Sequence, residues 1–433
     1  MSIKKGKNYM YGIHIPDMKD LSKDCPIERL PSPSKVFVSM SQHIGAPANP
    51  VVSVGDLVKK GQLIGEGAGP ISANIHASVS GTVVAVEDIV NAQGQKAKYV
   101  VIENDLASDE VLLPPLPDRE PQTLIDRVRE AGIVGLGGAG FPTAVKLSPK
   151  SQLDALVING AECEPYLTCD YRLMIERTDD VYKGIMLVAK ALNVKTVILG
   201  IELNKPDAIK AFEKYSDIEV VALKKQYPMG SEKHLIYCTT GRKVPVGKMP
   251  FDVGVCVQNI KTVIACYEAI ELNKPLTDIV MTVSGKGVET PKNLILPLGT
   301  AYGDILEYCK NSGNATKIVA GGPMMGKALM SVNQYAKKTD SGILLLTDEE
   351  TSVKDPTNCI NCGVCAKNCP MRLMPMYIES ASLTNDVINA EKLGTMNCIE
   401  CGSCAYNCPA KRPLVQSISY AKLKIREAKQ NGK

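Results

Sequence analysis

Apolar positions along the chain follow two rhythms, and the change between them marks its parts. Between residues 34 and 105 they alternate with polar ones in short runs. Val51-Val-Ser-Val-Gly-Asp-Leu-Val58 and Ser80-Gly-Thr-Val-Val-Ala-Val86 are rich in β-branched residues, and Gly55, Gly61, Gly65 and Gly81 interrupt them. That pattern predicts short strands joined by tight turns. Pro114, Pro115 and Pro117 then break the chain. From residue 119 the period lengthens. Residues 123–131, 171–192, 207–214 and 259–272 read as helices, and the apolar runs 155–158, 195–201 and 218–223 read as buried strands between them. Helix and strand in alternation predict a parallel sheet covered by helices. Short strands return over 279–330, with turn chemistry at Val283-Ser-Gly and Gly321-Gly-Pro-Met-Met-Gly326. The last residues, 422–433, are basic and polar and predict a frayed helical tail.

These shifts divide the chain into an extension (1–33), a β-rich domain (34–105), a Rossmann-like α/β domain (118–272), a small β module (276–346), a cysteine-rich domain (350–415) and a basic tail (416–433). The fold class expected is multidomain α/β plus β. A chain of 433 residues with 45% apolar content can bury several cores. Its 50 basic and 46 acidic residues leave a net charge of +4, and no basic stretch is interleaved with aromatics. No nucleic-acid partner is expected. No run approaches the ~18 apolar residues that cross a bilayer. The opening MSIKKGKNYMYGIHIP carries basic residues with no apolar stretch behind them, so no secretory signal is expected. A soluble chain that meets a membrane only through another protein is expected.

Fifteen cysteines are present, and eight fall between Cys359 and Cys408. Residues 359–370 read Cys-Ile-Asn-Cys-Gly-Val-Cys-Ala-Lys-Asn-Cys-Pro, and residues 398–409 read Cys-Ile-Glu-Cys-Gly-Ser-Cys-Ala-Tyr-Asn-Cys-Pro. Three closely spaced thiolates wrap three corners of a cubane, and the fourth points away to the other cluster. Two [4Fe–4S] clusters follow: one on Cys359, Cys362, Cys365 and Cys408, the other on Cys398, Cys401, Cys404 and Cys369. Gly363 and Gly402 let the backbone pass close to the sulfides, and Pro370 and Pro409 turn the chain after the exchanged ligand. A pair of structural zinc sites is the alternative, but zinc does not require the doubled run with a proline after each fourth cysteine. The seven scattered cysteines read as small buried hydrophobes.

A second constellation lies in the α/β region. Gly135-Leu-Gly-Gly-Ala-Gly-Phe-Pro-Thr-Ala-Val-Lys146 offers bare backbone N–H groups and a cation, as a phosphate requires, although tight turns need glycine too. It does not match the dinucleotide fingerprint of glycines followed by an acid. Asn159-Gly-Ala-Glu-Cys-Glu-Pro165 follows a short apolar strand, where a parallel sheet opens its ligand crevice. A helix cap with surface charge is the plainer reading. Tyr227-Pro-Met-Gly-Ser-Glu232, Lys248-Met-Pro-Phe251 and Gln258-Asn-Ile-Lys-Thr262 are weaker candidates, and Asn259 reads equally well as a helix cap.

Together these segments occur in the order seen in the flavin- and NADH-binding subunit of respiratory complex I, which the region resembles. Nearly the whole chain resembles the C subunits of Rnf complexes. The markers are Gly12-Ile-His-Ile-Pro16, Ser41-Gln-His-Ile-Gly-Ala-Pro47, Val54-Gly-Asp56, Gly321-Gly-Pro-Met-Met-Gly326 and the doubled cysteine run. The resemblance implies an ion-translocating ferredoxin:NAD+ oxidoreductase subunit: NAD(H) exchanges hydride with FMN, and single electrons pass through the clusters to other Rnf membrane and ferredoxin-like subunits. It implies a peripheral place on the cytoplasmic face of the cell membrane. It assigns FMN to Gly135, Gly137, Gly138, Gly140, Lys146, Asn159, Asn259 and Thr262, with Glu162, Glu164 and Tyr227 in the same cofactor site. Phe141, Glu232, Lys248 and Phe251 match residues that bind the dinucleotide. Leu136 replaces an arginine of the complex I pattern, Ala161 an aspartate and Ser231 a glutamate, and Pro149 stands where a third aromatic is usual. A looser hold on NADH is the expected consequence.

The β-rich domain resembles biotinyl and lipoyl carriers (barrel-sandwich folds). No lysine stands near Pro70, where those carry the modified one, so a docking module without a swinging arm is expected. His43 and His76 read as satisfied polar or core residues. Segment 276–346 resembles the β-grasp module that follows the flavin domain in complex I, a spacer and interface. Two rival readings remain: a microcompartment cobalamin reductase of related modular build, and a non-catalytic ferredoxin-like adaptor.

Overall fold

The computed structural model describes residues 3–9, 11–90, 94–138, 140–351 and 354–431. Its centre is a five-stranded, wholly parallel sheet in the order Lys4–Lys5, Glu219–Leu223, Thr196–Glu202, Ala155–Gly160, Val255–Asn259. The inner strands are largely apolar and buried, with Thr196 exposed at one end and Asn159 half-buried at the other, as a sheet covered on both faces requires. Helices Pro121–Glu130, Thr178–Leu192 and Ile260–Glu271 pack over the sheet around Leu124, Val128, Ile185, Val188, Val263 and Cys266.

One predicted helix is two. Residues 171–192 form Cys169–Glu176 and Thr178–Leu192, broken at Arg177 (φ −125°, ψ 36°). The Arg177 guanidinium bonds Asp180 in the new first turn at 2.9 Å and Glu268 across the interface at 2.7 Å. Asp179 and Asp180 then sit at a helix N-terminus, where the dipole favours them. The apolar phase continues across the break, so periodicity alone cannot see it.

The extension is woven into two domains. Lys4–Lys5 forms an edge of the parallel sheet, and Ile27–Arg29 pairs with Lys292–Pro297 at the edge of a six-stranded mixed sheet. That sheet also holds Asp278–Ser284, Gly342–Leu346, Lys317–Ala320 and Lys327–Leu329, with helix Tyr302–Tyr308 beside it. Residues 35–90 and 96–104 form two antiparallel sheets, of four and three strands, enclosing Val36, Val38, Ile64, Ile75, Val83, Val100 and Ile102. His76 lies buried there, and burial pushes its imidazole down to about 3. Helices Val364–Lys367, Pro375–Leu383, Val387–Lys392 and Ser403–Tyr406 build the cysteine domain. The tail is not frayed over its described length: Leu414–Asn431 is one helix that buries Ile418, Ala421 and Ile425 against that domain. Its basic residues sit between apolar ones at helical spacing, which the charge of the segment had masked.

Candidate functional site

The chain winds outward from Ala155–Gly160 in one direction and returns on its other side as Val255–Asn259. Such a switch point opens a crevice at the strands' carboxyl ends. Asn159 and Asn259 are register partners there. The Asn259 side chain caps its helix, accepting from Lys261 N–H at 2.8 Å, and its Nδ2 donates to Asp170 at 2.6 Å. The cap and the site residue are thus one group. Asn159 Nδ2 donates to the Gly230 carbonyl at 2.9 Å.

The glycine loop closes on itself beside them. Gly135 N–H donates to Phe141 O at 2.8 Å and Gly140 N–H to Gly135 O at 3.1 Å. Gly138 (φ 116°) and Gly140 (φ 65°) hold left-handed backbone, which L side chains resist. Gly137 and Gly138 are exposed at the tip, and a Cβ on Gly137 would lie 3.1 Å from Asn259 Cβ. Ala139 lies outside the described residues. Thr262 is fully buried, and its hydroxyl accepts from Leu136 N–H at 3.0 Å, so it acts on the loop from behind. A loop fixed at its base, with bare amides at its tip, fits a phosphate.

Carboxylates crowd the other wall. Glu162 sits at φ 46°, a costly backbone for a non-glycine residue, and its Oε1 accepts from Asp170 N–H at 2.7 Å. Lys19 Nζ lies 3.5 Å from its other oxygen. Burial pushes the carboxyls of Glu162 and Glu164 up. Lys205, itself buried, donates to Ala161 O at 2.6 Å and pairs with Glu202. Lys146 pairs with Glu232 at 2.8 Å. Phe141 and Phe251 are half-buried, whereas Lys248 is exposed and its ammonium makes no hydrogen bond or ion pair among the described residues. Sequence reasoning missed Asp170, Lys19 and Lys205. Only Asp170 carried a signal, an acid in the first turn of a helix.

The eight clustered cysteines fall into two cavities. One is lined by Cys359, Cys362, Cys365 and Cys408, with Met376 and Leu414. The other is lined by Cys369, Cys398, Cys401 and Cys404, with Leu373, Val415 and Ile418. The fourth cysteine of each motif thus lies in the other motif's cavity. The backbone repeats as well: Asn361 and Gly363 match Glu400 and Gly402, and Arg372 matches Lys411, all at positive φ. Residues alternating into the left-handed region turn successive N–H groups inward, a concavity suited to an anionic cluster. Leu373 N–H reaches Cys369 Sγ at 3.3 Å, and Arg412 N–H reaches Cys408 Sγ at 3.4 Å.

A tetrahedral zinc with Zn–S bonds of about 2.3 Å holds its sulfurs about 3.8 Å apart. Among the described residues, no three of the eight thiols lie within 4.8 Å of one another. Four thiols line each cavity, the donor set that a [4Fe–4S] cluster takes. Burial pushes Cys398 up to about 11 and also raises Cys365, Cys369, Cys401 and Cys404. A bound metal deprotonates the thiols that ligate it, which offsets that burial.

The second cavity adjoins the crevice wall. Tyr227 O–H donates to Cys401 O at 2.7 Å and lies 3.2 Å from Glu164 Oε1, while Glu164 Oε2 accepts from Met324 N–H at 3.0 Å. Met324 O would touch a Cβ placed on Gly402 at 2.7 Å. Tyr9 and the 3.2 Å contact of His234 hold Pro370, which follows Cys369.

Three family models match the chain: the RnfC barrel sandwich hybrid domain over residues 7–107, the Nuo51 FMN-binding domain over 128–268 and the 4Fe–4S dicluster domain over 351–409. With the sheets described above, they make the chain a multidomain α/β protein. The C subunit of the proton-translocating ferredoxin:NAD(+) oxidoreductase complex of Clostridium ljungdahlii is 44% identical, covering 98% of this chain and 95% of its own. Its counterpart in the Na(+)-translocating ferredoxin:NAD(+) oxidoreductase complex of Acetobacterium woodii is 41% identical over the full length of both. The corresponding component of the ion-translocating oxidoreductase complex of Rhodobacter capsulatus is 43% identical, covering 96% of this chain and 83% of its own. These full-length matches do not favour the cobalamin reductase or adaptor readings. The chain belongs to the family of C subunits of Rnf-type ion-translocating ferredoxin:NAD+ oxidoreductase complexes.

Proposed function

We propose that this chain is the NAD(H)-facing electron-transfer subunit of a membrane Rnf complex: it exchanges hydride with NAD(H) and passes single electrons to partner subunits, coupling ferredoxin and NAD+ redox to ion movement. FMN supplies the conversion between hydride and single electrons, and two [4Fe–4S] clusters supply single-electron carriage. The observation that carries this reading is the Tyr227 hydroxyl, which touches a cysteine of one cavity and a carboxylate of the crevice wall.

The protein's part is position and charge. Gly135, Gly137, Gly138 and Gly140, with Lys146, would take a phosphate, and Asn159 and Asn259 would orient the ring system beside it. Lys146 already holds Glu232, so a ribose hydroxyl would meet an oriented carboxylate. Phe141 and Phe251 would offer aromatic faces and Lys248 a free cation to the dinucleotide. Burial works against the charged forms of Glu162 and Glu164 on the crevice wall. Cys359, Cys362, Cys365 and Cys408 would ligate one cluster and Cys369, Cys398, Cys401 and Cys404 the other.

In this reading residues 34–105 are a carrier-like barrel without its lysine and 276–346 a β-grasp spacer. Among the described residues no helix is long and apolar enough to cross a membrane. In this reading the chain sits peripherally on the cytoplasmic face, held by the other Rnf subunits. Anaerobic purification with iron and flavin quantitation tests the assignment: about one FMN and about eight irons per chain are expected, with NADH bleaching the flavin. Intact, iron-loaded protein that takes up no FMN on reconstitution would refute it.

A further inference from the structure

Lys338 is fully buried, in a segment of the six-stranded-sheet module far from any predicted site residue in sequence. An ammonium in an apolar interior is costly unless a carboxylate meets it, and a methionine would fill the space more cheaply. Among the described residues Lys338 meets no carboxylate. Its Nζ donates to Asn74 O and to Gly132 O, each at 2.7 Å. Asn74 belongs to the barrel, and Gly132 is the turn from which the glycine loop departs. Burial pushes the amine down to about 7, the sign of a group kept in place against its solvation. What lysine gives here, and methionine cannot, is a directional link between two backbones.

Neighbouring contacts act on the same loop. Lys338 N–H donates to Gln42 Oε1 of the barrel at 3.0 Å. A Cβ on Gly132 (φ 68°) would lie 2.2 Å from Asn74 O, so barrel and turn meet backbone to backbone. At the loop's far end Ile44 N–H donates to Gly140 O at 3.0 Å, and a Cβ on Gly140 would lie 2.8 Å from Thr339 Cγ2. The loop is therefore gripped at both roots, Gly132 and Gly140, by the barrel and by residues 338–339. Its exposed tip, Gly137 and Gly138, is left bare.

We propose that Lys338 is a positioning residue for the cofactor loop and that the lysine-less barrel serves to hold that loop from behind. The inference rests on the reading of the loop as the FMN site. It explains why a carrier-type barrel persists without a carrier lysine: the barrel's 42–46 loop, beside the hairpin tip at Ile71, is spent on Gly140.

The test compares FMN affinity of the deflavinated full-length protein, by flavin fluorescence quenching, with hydrogen exchange over 132–141. Lys338→Met should weaken FMN binding by about tenfold or more and speed exchange in the loop, with iron content and exchange in strand 155–160 unchanged. Gln42→Met, which cuts the second link without emptying a buried site, should weaken FMN binding by a smaller factor, about threefold. Asp278→Asn is the control. The Asp278 carboxylate ties the barrel's Lys60 (2.7 Å) and the extension's Arg29 (2.9 Å) to the same module, and its ion-pair partners lie outside the loop. It should lower thermal stability and leave FMN affinity unaltered. If the wild type binds FMN and both Lys338→Met and Gln42→Met bind it as tightly, the positioning role is overturned. If Lys338→Met does not fold, Gln42→Met decides. If the Asp278→Asn control weakens FMN equally, the effect is general loosening and the proposal also falls. A wild type that binds no FMN defeats the functional reading instead.

Discussion

The two thiol cavities carry one local code in two surroundings. Their cysteine spacing, their left-handed residues and their N–H-to-sulfur contacts repeat from motif to motif. Outside that code they diverge. Cys359 and Cys362 are exposed, as is all of 354–362, with Ile360 66% open to solvent. Cys401 and Cys404 are buried, under Met324 and Tyr227 on one side and the Leu414–Asn431 helix on the other. Spacing decides which thiols meet, and tertiary packing decides what each site faces. One site faces the crevice and the other faces water, where a protein partner can approach, so the pair has a direction that neither motif encodes.

The sharpest way to break that comparison is to exchange one ligand. Cys369→Ser sits in the first motif, yet it should remove the cluster of the second cavity and spare its own. Iron should fall to about half, and the surviving electron paramagnetic resonance signal should be the one that Cys408→Ser abolishes. Flavin content should stay at the wild-type level in both. If each serine variant instead lost the cluster of its own motif, the crossed arrangement would be wrong. Chelation comes next in size. With two ligands in water, the first cavity should release iron to a chelator several times faster than the second. Biphasic release with the fast half absent in Cys408→Ser checks this, and a single phase would show that exposure does not separate the sites.

How much of this was readable beforehand depends on range. The cysteine grouping follows from spacing within one short segment, and the helix–strand alternation of 119–272 from periodicity. The switch-point neighbours Asn159 and Asn259 were each legible as candidates, but their pairing across two strands is a fact of strand order. Lys4–Lys5 and Ile27–Arg29 are too short to show any period, so the extension looked separate although it edges two sheets. Lys19, Lys205 and Lys338 were invisible for a different reason. A buried lysine has no local signature: each of the three donates to at least one backbone carbonyl brought in by tertiary contact, and composition counts it as surface charge. The closing helix escapes detection for the same cause: Lys422 lies buried and donates to Cys398 O, so a residue that counts as charge helps to seat the helix.

Lys422 gives a smaller test of the same contrast. Its ammonium lies 2.6 Å from Cys398 O and 2.6 Å from Glu400, both in the second motif. A positive charge beside a cluster favours its reduced, more negative form. Lys422→Gln should therefore lower the midpoint potential of the second cluster by on the order of 50 mV and leave the first unmoved. Adding Glu400→Gln should restore most of the shift, because it removes the carboxylate left unpaired. Redox titration followed by electron paramagnetic resonance reads both clusters at once.

The smallest expected effect bears most directly on direction. Tyr227 has one hydroxyl proton and two oxygen neighbours, and the shorter contact is to Cys401 O at 2.7 Å rather than Glu164 at 3.2 Å. Tyr227→Phe keeps the ring and its packing and deletes only that donor. A hydrogen bond of ordinary strength is worth about 1 kcal/mol, and only the part gained on reduction moves the potential, so the second cluster's potential should fall by at most on the order of 40 mV, because the O–H dipole no longer stabilises added negative charge. Glu164 loses its neighbour at the same time, so the flavin potential should move with it. The first cluster, on the far side of the second, should not. A Tyr227→Phe protein in which all three potentials match the wild type would mean that the hydroxyl only packs the interface, and that the buried site's place beside the crevice has no electrostatic expression.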